Sequence, residues 1–167
     1  MPQTRSVVEE IGQSKPFPGR GQEAMVTLLR TADEVRRYLT RLLEPEDVTV
    51  QQFNVLRILR GAGPEGLPTL EIGRRMVEQQ PGVTRLVDRL VAKELVDRER
   101  DAVDRRRVVC TIREAGLEML ARVDEIFKTM EGQVVAGLPD DGGRGLVADL
   151  DRLRAHLRAQ GGEDGGG

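Results

Sequence analysis

Within one short stretch, Arg74, Gln80, Thr84, Arg85 and Arg89 carry side chains suited to gripping a polyanion, and Asp104-Arg105-Arg106 follows as a second cluster. Glutamine, threonine and arginine hydrogen-bond to base edges, and arginine also meets phosphate oxygens with a planar fork. An arginine at the tip of a ribbon suits a narrow minor groove, whose negative potential attracts a guanidinium, and a neighbouring carboxylate such as Asp104 can hold it in place. Taken singly, each cluster reads as an ordinary solvated surface. Together they match the needs of a protein that reads double-stranded DNA.

The elements that must carry these residues are legible in the apolar spacing. One helix is expected over residues 69–76 with Thr69 as its N-cap, and a second over 80–93 with Pro81 in its first turn. In the second, Val83, Leu86, Val87 and Leu90 recur at i, i+3, i+4 and i+7 and face a core, leaving Thr84, Arg85, Asp88 and Arg89 on the opposite side. Runs at 95–100 and 107–112 flank a polar turn, and Val108, Cys110 and Ile112 alternate with Val109, Thr111 and Arg113 as a half-buried strand does. Helix, helix and basic β-ribbon, in that order, predict a winged helix-turn-helix.

Longer helices flank this head. Met25, Leu28, Leu29, Ala32, Val35, Leu39 and Leu42 form one stripe, which Pro45 closes. A Thr49-x-x-Gln52 capping box opens the next helix, whose Phe53, Leu56 and Leu59 point inward. Leu117, Leu120, Val123, Phe127, Met130 and Val134 outline another, a Pro139 to Gly143 break follows, and Leu146, Leu150, Leu153 and Leu157 outline the last. A small head has its own core to fill, so these stripes call for a further apolar surface, and a two-fold dimer supplies one.

Several blocks then agree in order with a known family. Gln52-Phe53-Asn54-Val55-Leu56-Arg57-Ile58-Leu59, Glu71-Ile72-Gly73-Arg74-Arg75-Met76, Val83-Thr84-Arg85-Leu86-Val87-Asp88-Arg89-Leu90, and Asp104-Arg105-Arg106 with Glu114-Ala115-Gly116 resemble the MarR family of bacterial transcriptional regulators over roughly residues 22–160. The resemblance implies a mainly α (α+β) fold in one domain. Its winged-helix head is expected at about 45–113, dimerisation helices at about 22–44 and 114–160, and flexible arms at 1–20 and 161–167. It implies a homodimer on an inverted-repeat operator, with residues 80–93 as recognition helix and Arg106 as the minor-groove arginine. It also implies a repressor released by a small aromatic or apolar effector, in a pocket lined by Met25, Leu28, Tyr38, Phe53 and Leu56. No cofactor, metal or enzymatic activity is implied. The chain departs from the family pattern in three places. Glu94 stands where glycine is usual after the recognition helix, so a left-handed cap there is strained or rebuilt. Arg113 replaces a capping threonine, with Thr111 and Glu114 offering the capping-box spacing instead. Pro81-Gly82 is unusual at the recognition-helix start.

Composition agrees with these limits. The chain of 167 residues is long enough for a real core, no apolar run approaches a membrane span of roughly 18 residues, and the first twenty residues lack a signal peptide's apolar centre. A cytoplasmic protein is expected. The net charge is −2, yet residues 70–113 hold eleven basic against eight acidic side chains, a basic reading head on an acidic body. With no tryptophan, one tyrosine and three phenylalanines, the chain lacks the stacking platforms of single-strand and RNA binders. Gly61-Ala62-Gly63-Pro64-Glu65-Gly66 has the dinucleotide-binding spacing but follows a helix and not a strand, so a loop between helices is the expectation. Cys110 falls on the core face of its strand, where a small buried residue is expected and a redox sensor is not. His156 and the Asp140-Asp141 pair read as surface groups. The alternative function is a winged-helix protein-interaction module, which has no need of cations at both the helix and the ribbon tip.

Overall fold

The computed structural model describes residues 5–78, 82–100, 108–136, 138 and 143–163. The chain divides into two compact units, residues 1–123 and 124–167. In chain order the described elements are α1 (Val7–Glu10), α2 (Arg20–Leu43), α3 (Val50–Ala62), β1 (Leu67–Pro68), α4 (Thr69–Arg75), α5 (Val83–Ala92), β2 (Val96–Arg100), β3 (Val108–Ile112), α6 (Glu114–Val135) and α7 (Arg144–Glu163). The mainly α, winged-helix expectation is met.

Local signals in the sequence account for several of these boundaries. At the start of α3, the Thr49 side chain accepts from the Gln52 N–H at 3.2 Å while the Gln52 side chain accepts from the Thr49 N–H at 3.0 Å, so both halves of the predicted capping box form. Helix α3 then buries Phe53, Val55, Leu56 and Leu59. They meet Ile72 and Met76 of the α4 region, Val87 and Leu90 of α5, Val96, Cys110, and Met119, Leu120 and Val123 of α6 in one core. Trimming a fully buried member such as Leu56 to alanine costs about 2–5 kcal/mol, because lost transfer energy and the residual cavity add.

The sheet is antiparallel in the order β1-β3-β2. Arg98 and Leu67 both lie opposite Cys110, and Val96 lies opposite Ile112. Strand β1 was not anticipated, since two residues show no alternation. The glycine-rich run before it is not simply a loop between helices: Gly61 and Ala62 finish α3, and a 3-10 turn spans Gly63–Glu65. Gly66 has φ of 60°, and a Cβ there would stand 2.3 Å from the Cys110 carbonyl oxygen. Close backbone approach, and not a nucleotide, explains that glycine.

Three predicted helix starts need correction. Pro68 is the N-cap of α4, and Thr69 is its first residue, with its hydroxyl 3.7 Å from Cys110 Sγ instead of capping. That helix ends at Arg75, because Met76 is extended and buried. Helix α5 begins at Val83, not at residue 80, because Gly82 adopts φ of 103°. Thr111 belongs to β3 and cannot cap α6, which starts at Glu114. There the Arg113 N–H donates to the Leu95 carbonyl at 3.0 Å and the Arg113 carbonyl accepts from Leu117. Part of the expected flexible arm is also ordered, since Ser6 and Glu9 form a capping box on α1 and Glu10 lies 3.5 Å from Arg30 of α2.

In the first unit, α2 leaves Met25, Leu29 and Val35 at least half exposed. Within the second unit, α7 exposes Leu146, Val147, Leu153 and Leu157. Its acidic and basic residues pair along the helix, Arg152 with Asp149 and Arg154 with Asp151. Among the described residues, no helix is long and apolar enough to cross a membrane.

Candidate nucleic-acid interface

The face of α5 is built by its own periodicity. Val87 and Leu90 are fully buried, so Thr84, Arg85, Asp88 and Arg89 on the other side are exposed. Gly82 accepts the first helical hydrogen bonds, from Arg85 and Leu86, and offers no capping side chain. The first N–H groups of α5 therefore lack an intrahelical acceptor, beside Thr84 and Arg85.

Contacts on several sides fix the helix. Asp88 accepts from Arg98 of β2 at 2.6 Å, tying α5 to the sheet. Asn54 of α3 accepts from the Val77 N–H at 2.9 Å, and Glu78 accepts from Arg36 of α2 at 2.8 Å, anchoring the segment between α4 and α5. At the far end the Leu95 N–H donates to the Leu90 carbonyl and the Glu94 N–H to the Val91 carbonyl, a complete Schellman cap. Glu94 provides it in the left-handed region, at φ of 57°. The strained cap expected from the departure at this position is thus present. Arg113, just before α6, lies 3.7 Å from both Glu94 and Asp97 and holds the same corner.

Two open clefts flank α5. One of about 830 Å³ lies between α4, α5 and the sheet and is lined by Arg74, Thr84, Arg98, Glu71, Leu70 and Val108 among others. The other, about 600 Å³, lies between the end of α2, the start of α3 and α5, and receives Arg89 and Lys93. Of the predicted site residues, Arg74 and Thr84 thus share a cleft, Arg85 stands on the exposed face of α5, and Arg89 turns to the opposite flank. Gln80, Asp104, Arg105 and Arg106 lie outside the described residues. The sequence reading missed Arg98; its opposite charge to Asp88, ten residues earlier, was the available signal.

The proposed effector residues are spread over two environments. Phe53 and Leu56 belong to the core, Met25 and Leu28 are exposed on α2, and Tyr38 is half-buried. Neither cleft described above is lined by any of them. Cys110 is fully buried, and that burial pushes its thiol above the ordinary value, which disfavours the reactive thiolate.

Comparisons with known proteins agree with this architecture. The MarR family model matches residues 46–107. The transcriptional regulator TtmR of Methylorubrum extorquens is 28% identical over 95% of this chain and 78% of its own length. The uncharacterized regulator YpoP of Bacillus subtilis is 34% identical over 60% of this chain and 70% of its own. Among solved structures, a Planctomyces limnophilus MarR transcription factor is 31% identical, covers 84% of this chain and 98% of its own, and superposes with a TM-score of 0.61. With this likeness on top of the head geometry, the chain belongs to the MarR family of transcriptional regulators and not to a family of enzymes.

Proposed function

We propose that this chain is a sequence-specific double-stranded DNA-binding regulator that acts as a homodimeric, cytoplasmic repressor and leaves its inverted-repeat operator when a small aromatic or apolar effector binds. The observation that carries this reading is α5 itself: its exposed face presents Thr84, Arg85 and Arg89 while Val87 and Leu90 anchor the other side. A helix held this rigidly, with its uncapped N-terminal turn exposed, enters a major groove and reads base edges. Arg105 and Arg106, steadied by Asp104, then take the adjacent minor groove, and Arg74 and Gln80 hold the flanking backbone.

The exposed apolar residues of α2 and those of α7 support a second copy as partner, because such faces are rarely left to water. Effector release is assigned to the α2 side, with Met25, Leu28 and Tyr38 of α2 and Phe53 and Leu56 of α3 as the proposed lining, opened when the effector binds. Selecting fragments from a genomic library with the purified protein tests the reading. Recovery of a shared inverted repeat is the expected outcome, and retention of DNA without sequence preference would overturn it.

A further inference from the structure

The 600 Å³ cleft on the far flank of α5 collects charge from three elements. Arg36 and Arg41 come from α2, Arg89 and Lys93 from α5 and its cap, and the backbone of Thr49, Val50 and Gln51 from the start of α3. Four cations face two carboxylates, Glu44 and Asp47. Two of the cations are committed. Lys93 donates to both the carboxylate, at 2.6 Å, and the backbone carbonyl of Asp47, and Arg36 donates to Glu78. The other two, Arg41 and Arg89, have no ion-pair partner among the described residues, and both are exposed.

Helix α3 contributes donors as well as position. Its capping box occupies the Gln52 N–H, while the Val50 and Gln51 N–H groups at the first two positions have no acceptor among the described residues. Unpaired guanidinium groups and unpaired backbone donors lining one cleft suit an oxyanion. Lys93, held on Asp47, keeps the end of α5 against this corner, so Arg89, one turn earlier, stays on the same flank.

We infer that this cleft is a phosphate site, occupied by a backbone phosphate of the DNA strand bordering the groove that α5 enters, with Arg41 and Arg89 as its charged donors and the start of α3 as its dipolar one. The inference rests on the proposed placement of α5 in a major groove. The site carries no base information, so it sets the register of α5 on the duplex and adds affinity on every sequence equally.

The test uses the full-length protein, its selected operator and a scrambled duplex. Arg41→Gln should weaken binding to both duplexes by the same factor, about five- to tenfold, and make the slope of log affinity against log salt shallower by about 0.9. A scan of single methylphosphonate substitutions, each removing one backbone charge, should find one position per half-site that weakens the wild type clearly more than it weakens Arg41→Gln, where Arg89 and the start of α3 remain. Arg85→Ala serves as the separate check on α5. If Arg85→Ala loses discrimination while Arg41→Gln keeps wild-type affinity, slope and methylphosphonate profile, the phosphate site is wrong and the reading of α5 stands. If neither variant changes binding, both fall. Should inorganic phosphate, at matched ionic strength, stabilise the wild type but not Arg41→Gln while DNA affinity is untouched, the cleft takes a free anion and the assignment to DNA is overturned. Circular dichroism confirms that each variant is folded.

Discussion

A single arginine illustrates what separates reading a sequence from gripping a backbone. Arg85 stands on the exposed face of α5 with no ion-pair partner among the described residues, whereas its neighbour Asp88 is held by Arg98. A free guanidinium next to a helix start can align with a base edge, and one such bidentate contact discriminates against the wrong base by about 1–3 kcal/mol. Arg85→Ala is therefore expected to narrow the affinity gap between operator and scrambled DNA by roughly that amount, measured by gel shift on both. Equal losses on the two duplexes would reduce Arg85 to a phosphate contact. At this scale the sequence was a good guide wherever apolar spacing set the direction: placing Val87 and Leu90 inside places Arg85 outside. It was a poor guide to Arg98, because Asp97, Arg98, Glu99 and Arg100 are all exposed and give β2 no alternation to read.

Among the elements, boundaries turned on backbone conformations that residue types only partly encode. The Thr49 and Gln52 box was legible because both side chains act locally. The start of α5 was not, since proline at residue 81 is compatible with a first turn and only the left-handed Gly82 moves the boundary to Val83. Thr111 had the spacing of a cap, but the β3 ladder claims it through its pairing with Asp97. The left-handed Glu94 was foreseen from its place after the helix and has a measurable cost. Left-handed backbone costs a non-glycine residue about 1–2 kcal/mol, while the exposed 3.7 Å pair with Arg113 contributes little. Glu94→Gly should accordingly raise unfolding stability by about 0.5–1 kcal/mol after glycine's own entropy loss; a lower denaturation midpoint would show that the ion pair outweighs the strain.

The turn before α3 supplies a pH-dependent link of the same scale. Glu46 accepts from Arg122 of α6 at 3.0 and 2.7 Å, and this hydrogen bonding lowers its carboxyl below the ordinary range. Because the folded value is the lower one, the stability this pair contributes is present above the unfolded carboxylate value of about 4.3 and is lost as pH falls through the folded value. Denaturant titrations should show a steeper acid loss for the wild type than for Glu46→Gln. Superimposable acid limbs would exclude the link.

For the whole molecule, reading an inverted repeat depends on two copies. Described apolar residues of α2 and α7 remain exposed within their own units, and the stripes were legible because helical periodicity survives whatever covers it. The covering surface was not legible, since one chain cannot state its own symmetry. If two-fold pairing covers them, Leu150→Asp with Leu153→Asp should produce monomers in sedimentation velocity, because carboxylates cannot be buried there unpaired. Two heads then dock on one face of the duplex only when half-site centres lie one helical turn apart, roughly 34–36 Å. The most direct test is a gel shift of the wild-type protein on its selected operator with about five base pairs, half a turn, inserted between the half-sites. Tight binding is expected to be lost on the spaced operator. Retained affinity, with a wild-type monomer binding one half-site as tightly as the intact inverted repeat, would contradict it.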